Sequence, residues 1–231
     1  MKTNEFGQVI GEAVPGFTPG GLPTAASIEG RYTRLEKLNE SHKEALYAVY
    51  GPDTPAQMWT YLAGSSVANE AEWDDFFERL LRDSSKFYYV ILDKNTQKAL
   101  GTFALMRLDT ANRVVEIGSV TYLPELQRTR IATEAQYLMA RYVFEEMGYR
   151  RYEWKCDALN EPSKRAAKRL GFTYEGRFRQ AVVYKGRTRD TDWYSMIDQE
   201  WPKLKERFEK WLHPENFSEE GVQYHSLSQQ S

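Results

Sequence analysis

Hydrophobic and polar positions divide this chain into short alternating runs and a few helical stripes. Residues 28–38, IEGRYTRLEKL, alternate closely enough for a first strand. Asn39 and Ser41 then offer capping oxygens for a helix over about 41–50, where Ala45, Leu46, Val49 and Tyr50 share one face, and GPDTP stops it. The stretch 69–82 is a stronger helix, with Trp73, Phe76, Phe77, Leu80 and Leu81 repeating at i, i+3, i+4, i+7 and i+8. Three strand-like runs follow, FYYVILD, KALGTFALMRL and RVVEIGSVTYL. Their polar links, KNTQK and DTANR, are too short for a parallel crossover, so the three predict an antiparallel meander.

Positions 131–147 return to helical spacing, with Ala135, Leu138, Met139, Tyr142 and Val143 facing inward. RRYEWKCDA reads as the next strand, and Asn160 is placed to cap a further helix, with Pro162 in its first turn and Gly171 at its end. FTYEGRFRQAVVY and RDTDWYSMI make a hairpin across KGRT, and a last helix at about 201–212 buries Trp201, Leu204, Phe208 and Trp211. Each element can bury its apolar face only on one shared sheet, which predicts a single α/β (α+β) domain with a mixed, mostly antiparallel sheet flanked by helices. The strand–helix–strand unit over 113–157 should be parallel and right-handed. Residues 1–27, rich in Gly, Pro, Thr and Ala, read as an extended N-terminal arm. The domain proper spans 28–212, and 213–231 form a polar C-terminal tail expected to fray.

Composition narrows the chemistry. Hydrophobic residues make up 41% of the 231 positions, enough for a core, and 31 basic residues against 33 acidic give a formal charge of −2. That balance supplies no general attraction to nucleic acid or to a membrane surface. A single cysteine, Cys156, rules out an intrachain disulfide and a cysteine-rich metal site, and with only three histidines no metal is expected. No apolar run approaches the roughly 18 residues of a membrane span. The N-terminal stretch has no secretory hydrophobic segment, so a cytoplasmic location is expected.

The candidate chemistry lies in LPELQRTRIATEAQ, residues 123–136, where a strand runs through a loop into a helix. The first amides of a helix have no internal partner, and its dipole places positive charge there, so such a start attracts phosphate. Arg128 and Arg130 add full charges, Thr129 and Thr133 add hydroxyls, and Ala132 leaves room for a ligand near the backbone. On these residues alone the turn is either an anion cradle or a solvated basic corner capped by Pro124 and Glu125.

Three stretches together resemble the GNAT-type N-acetyltransferases. Gln127-Arg128-Thr129-Arg130-Ile131-Ala132 is similar to that family's pyrophosphate motif, Gln/Arg-x-x-Gly-x-Gly/Ala, with Arg130 in place of the middle glycine. Asn160-Glu161-Pro162-Ser163, followed by Leu170-Gly171-Phe172 and Glu175-Gly176, resembles the segment beside the acetyl-CoA tail. Glu116-Ile117-Gly118 resembles the strand that splays from its neighbour. The element order over about 28–198 matches too, and the branch most resembled is the ribosomal-protein-alanine (RimJ/RimL-like) one.

The resemblance implies an enzyme that moves an acetyl group from acetyl-CoA to a primary amine, on a protein N-terminus or a small molecule, by direct attack on the thioester. The cofactor would sit between two splayed parallel strands, 113–122 and 151–157. Backbone groups of Val120, Thr121 and Tyr122 would pair with the pantetheine arm, and the amides of residues 128–133 would hold the pyrophosphate. Asn160 would cap its helix and touch the same arm. Glu116 is the candidate general base, its alternative being a strand carboxylate paired with an arginine such as Arg113. Ser163 would serve the leaving thiolate, its alternative being a first-turn hydroxyl. Cys156 is expected in the core, His42 on the surface, and KGRTRD at 185–190 at a solvated hairpin tip. The rival class is a non-catalytic acyl-CoA-binding regulatory module. An oligomer remains open.

Overall fold

Alternation along the chain resolves into one large sheet. The computed structural model describes residues 2–229. A small separate hairpin, β1 (Lys2–Thr3) and β2 (Val9–Ile10), opens the chain. The main strands are β3 (Ser27–Glu29), β4 (Thr33–Lys37), β5 (Lys86–Asp93), β6 (Ala99–Asp109), β7 (Val114–Tyr122), β8 (Arg151–Asp157), β9 (Thr173–Tyr184) and β10 (Arg187–Ile197). They lie in the order β3-β4-β5-β6-β7-β8-β10-β9, with every neighbouring pair antiparallel except β7 and β8. The mixed, mostly antiparallel sheet expected from the sequence is therefore present, and so is its parallel crossover.

The helices are α1 (Lys43–Tyr50), α2 (Glu70–Arg82), α3 (Arg130–Arg141), α4 (Glu161–Leu170) and α5 (Trp201–Leu212). One face of the sheet carries α1 and α2, whose Leu46, Val49, Tyr50, Trp73 and Phe77 bury against Val90 and Leu92. Burying each of these large side chains contributes about 1.5–3 kcal/mol over leaving it exposed. The other face carries α3, α4 and α5 over Leu35, Tyr89, Phe103, Ile117, Tyr152 and Tyr194. After Arg141, α3 widens into one π-helical turn, Tyr142–Glu146, where the sequence spacing had predicted continuous α-helix.

Several expectations change. The first strand is two, β3 and β4, split by a turn at 30–32. The cause lies far away: the Glu134 carboxylate on α3 accepts the amides of Arg31, Tyr32 and Thr33 at 2.8, 2.6 and 2.7 Å. His42 is buried, because its Nδ1 accepts the Asn39 amide in a capping box and its Nε2 lies 2.9 Å from Glu36. Ala45 turns outward. The tail does not fray as a whole: Asn216, Phe217 and Leu227 are buried. Part of the N-terminal arm is also tied down, with the Thr24 and Ala25 amides donating to the Tyr142 hydroxyl. No helix among the described residues is long and apolar enough to cross a membrane.

Candidate active site

The parallel pair parts halfway along. β7 and β8 pair from Val114–Arg151 to Ile117–Trp154, after which β7 runs on to Tyr122 and β8 to Asp157 with no pairing between them. A bulge drives this parting. Between Thr102–Thr121 and Ala104–Gly118 the register against β6 shifts, and Ser119 there takes a left-handed φ of 49°. An extra residue in one strand bends it and increases its twist, which swings the end of β7 away from β8. Val120, Thr121 and Tyr122 thus lie on the edge that β8 leaves unpaired. The Tyr122 hydroxyl accepts from Gln136 Nε2 at 2.7 Å, and burial pushes its ionisation well above the usual tyrosine range.

Beyond Tyr122 the chain turns into α3. Arg128 adopts φ 64°, and Thr129 caps the helix by accepting the Ala132 amide at 3.1 Å. The Thr129 hydroxyl donates to Leu126 O at 2.7 Å, and the Thr133 hydroxyl donates to Thr129 O at 3.2 Å. Both hydroxyls are therefore spent inside the turn rather than offered to a ligand. What remains is backbone: among the described residues the amides of Arg128, Arg130 and Ile131 donate to no acceptor. The Arg128 side chain is exposed, and Gln127 reaches only back to Tyr122 O at 3.5 Å.

Arg130 behaves differently from Arg128. Its helical backbone needs no glycine, and its guanidinium lies over the Tyr32 ring, 4.4 Å from the centroid. Arg169 is a contact the sequence did not suggest. Its Nη2 donates to Thr133 Oγ1 at 2.9 Å, and burial holds its ionisation below the usual arginine range.

On the far side of the gap, Asn160 caps α4 by accepting the Ser163 amide at 3.1 Å. Ser163 Oγ accepts from Trp154 Nε1 at 3.0 Å and stands beside Cys156, a buried core residue whose thiol burial pushes upward. Glu116 looks the other way. It is buried and its Oε2 lies 2.9 Å from Lys155 Nζ and 3.4 Å from Arg107. Its partners are thus Lys155 and Arg107, whereas Arg113 is engaged with Gly148 O and Thr18. The contact with Lys155 is an ion pair between two buried side chains. Lys155 also pairs with Glu153 at 2.8 Å, and Arg151 links Glu153 at 2.7 Å to Glu175. Side chains alternate across a strand, so Lys155 and Trp154 point to opposite faces. Glu116 and Ser163 accordingly do not meet; they flank the gap from its two sides.

The hairpin tip at 185–190 is anchored. Lys185 Nζ donates to Trp59 O at 2.6 Å and Arg187 to Thr60 O at 3.2 Å, so the loop between α1 and α2 bridges to it. Tyr61 adds a bond to Leu159 O at 3.1 Å, just ahead of α4. Residues 185–188 of the tip are nonetheless exposed.

A sheet opened at its one parallel pair, with a capped helix start on either side of the opening, is the arrangement that the resemblance implied for an acetyltransferase. The chain belongs to the GNAT acetyltransferases: residues 33–173 match the acetyltransferase (GNAT) domain. It is 43% identical to a GCN5-related N-acetyltransferase from Brucella melitensis, whose crystal structure superposes with a TM-score of 0.91 over 94% of this chain and 99% of that one. It is 25% identical over 163 residues to the uncharacterised N-acetyltransferase YoaA of Bacillus subtilis, covering 71% of this chain and 92% of YoaA. The Bacillus subtilis protein YdaF, a candidate ribosomal N-acetyltransferase, is 33% identical over 101 residues, 44% of this chain and 55% of YdaF.

Proposed function

We propose that this acetyltransferase binds acetyl-CoA in the β7–β8 gap and acetylates the primary amine of a protein N-terminus or a small molecule. The observation that carries the reading is the coincidence of the gap with three free amides at the α3 start. Those amides and the exposed Arg128 suit a pyrophosphate, since backbone donors and an arginine fork both match phosphate oxygens. The unpaired edge of Val120–Tyr122 suits the amides of a pantetheine arm, which would add to the sheet as a strand does. Asn160 and Ser163 stand across the gap, at the start of α4.

Glu116 supports direct transfer. It is a buried carboxylate on β7, one residue before the last β7–β8 pair, and is ion-paired to Lys155. It takes a proton from the incoming ammonium, directly or through water, as the amine attacks the thioester carbonyl. Ser163 would offer its hydroxyl to the departing sulfur. No covalent enzyme intermediate is needed, and Cys156 stays a core residue.

For the acceptor, the similarity to YdaF favours a protein N-terminus of the ribosomal-protein (RimJ/RimL-like) kind, acetylated in the cytoplasm. Fold and cofactor motif do not fix an acceptor by themselves. The test is a screen of acetyl-CoA turnover by free-thiol release, over peptides with different N-termini and over small amines. Faster turnover of peptide N-termini supports this choice; turnover of small amines alone replaces it.

A further inference from the structure

Arg130 stands where the family pattern has a glycine, and its side chain is built into a stack. The guanidinium lies 4.4 Å from the Tyr32 ring centroid and 5.6 Å from that of Phe217. Tyr32 and Phe217 meet edge to face at 6.0 Å, and Phe217 meets Trp211 edge on at 5.0 Å. The tail also touches Arg130 at Gly221, where an added Cβ would stand 3.6 Å from the guanidinium carbon.

Both flanks of the stack are fixed. Tyr32 is held through its amide by Glu134 and through its hydroxyl, which donates to Leu212 O at 3.1 Å. Phe217 belongs to a tail segment that Asn216 closes. Asn216 Nδ2 donates to the carbonyls of Trp211 and His225 at 2.9 and 3.1 Å, and its Oδ1 accepts the His225 amide at 2.9 Å. Leu227 is fully buried beyond it.

We propose that Arg130 is a positioning residue and that the C-terminal segment 213–229 is part of the acetyl-CoA site through it. The Tyr32–Arg130–Phe217 stack pins the first residue of α3, and with it the direction of the free amides of Arg128, Arg130 and Ile131. The charge of Arg130 is spent on two ring faces rather than on phosphate. This inference rests on the reading of that turn as the pyrophosphate site.

The test uses the full chain, with coenzyme A binding by calorimetry and acetyl-CoA kinetics for Phe217→Ala, Phe217→Tyr, Arg130→Ala and the Arg130→Ala/Phe217→Ala double variant. Absence of coenzyme A binding by the unaltered protein overturns the underlying site and the inference with it. Given binding, Phe217→Ala should weaken it and raise KM about fivefold to thirtyfold, the scale of a desolvated cation–π contact. Its kcat should stay within about twofold, because uniform binding alone is lost. Phe217→Tyr, which keeps the ring, should restore affinity. The double variant should cost no more than Arg130→Ala alone, since Arg130→Ala already removes the contact with Phe217. If Phe217→Ala does not fold, Phe217→Leu keeps the apolar bulk without the ring and should show the same loss. Unchanged affinity, additive effects, or a flatter salt dependence in Arg130→Ala but not in Phe217→Ala overturns the clamp, the last by showing direct phosphate contact.

Discussion

Lys155 holds two buried carboxylates at once, and its own side chain is only 5% exposed. Its ammonium also sits 3.7 Å from the centroid of the Trp193 ring. Removing the charge with Lys155→Met would leave Glu116 and Glu153 crowded without it, a loss of about 3–5 kcal/mol expected in chemical denaturation. Glu116→Gln keeps the shape and should lower kcat about a hundredfold or more while coenzyme A affinity is unchanged; undiminished kcat would remove Glu116 from proton transfer. Farther along the network, the hydrogen bond from Arg151 holds the Glu175 carboxyl below the usual range, against burial and with help from Ser195. The folded value therefore lies below the unfolded one of about 4.3, so the pair stabilises the fold above that pH, and the gain is lost as pH falls through the folded value. Arg151→Gln should accordingly flatten the fall of the urea midpoint below about pH 4.3, and an unchanged acid limb would show that the bond contributes nothing. Glu116 was legible as a candidate from its strand context. Its partners were not, because Lys155 lies on a different strand and reaches it only through a register that no local spacing encodes.

At the level of elements, the starts of α3 and α4 flank the gap, and each is held by its own capping side chain, Thr129 and Asn160. Thr129→Ala removes the acceptor for the Ala132 amide and should cost about 1 kcal/mol, the usual worth of such a cap. A lower melting temperature and weaker coenzyme A binding should appear together, and a loss of stability without loss of affinity would separate the cap from the cradle. Most elements could be read from local patterning. The Asn69 cap and the stripe through Trp73, Phe76 and Phe77 mark α2, Asn160 and Gly171 bound α4, and Trp201–Leu212 stands as expected. What escaped was contributed by groups on other elements. The split of the first strand depends on Glu134, about a hundred residues away in sequence, and the burial of His42 depends on Glu36. The bulge at Ser119 is hard to read in the hydrophobic pattern, because Gly118 and Ser119 are small residues that mark neither face.

On the scale of the whole molecule, the eight-stranded sheet matters because it holds one defect in place. Antiparallel neighbours brace β7 and β8 on both sides, so the pair can part after Ile117 and Trp154 without loosening the domain. The ends of the chain contribute as well, through the arm tied to Tyr142 and the tail packed against Arg130. Their composition, rich in Gly, Pro and polar residues, concealed this, since Phe217 and Leu227 are isolated apolar positions with no periodicity around them. The central claim is that the gap and the α3 start together hold acetyl-CoA. Titration of acetyl-CoA into the intact protein by calorimetry tests it most directly. The account predicts saturable one-to-one binding with a Kd on the order of micromolar, sharply weakened in Arg128→Glu. No heat of binding from a protein whose thermal unfolding shows it to be folded would contradict it.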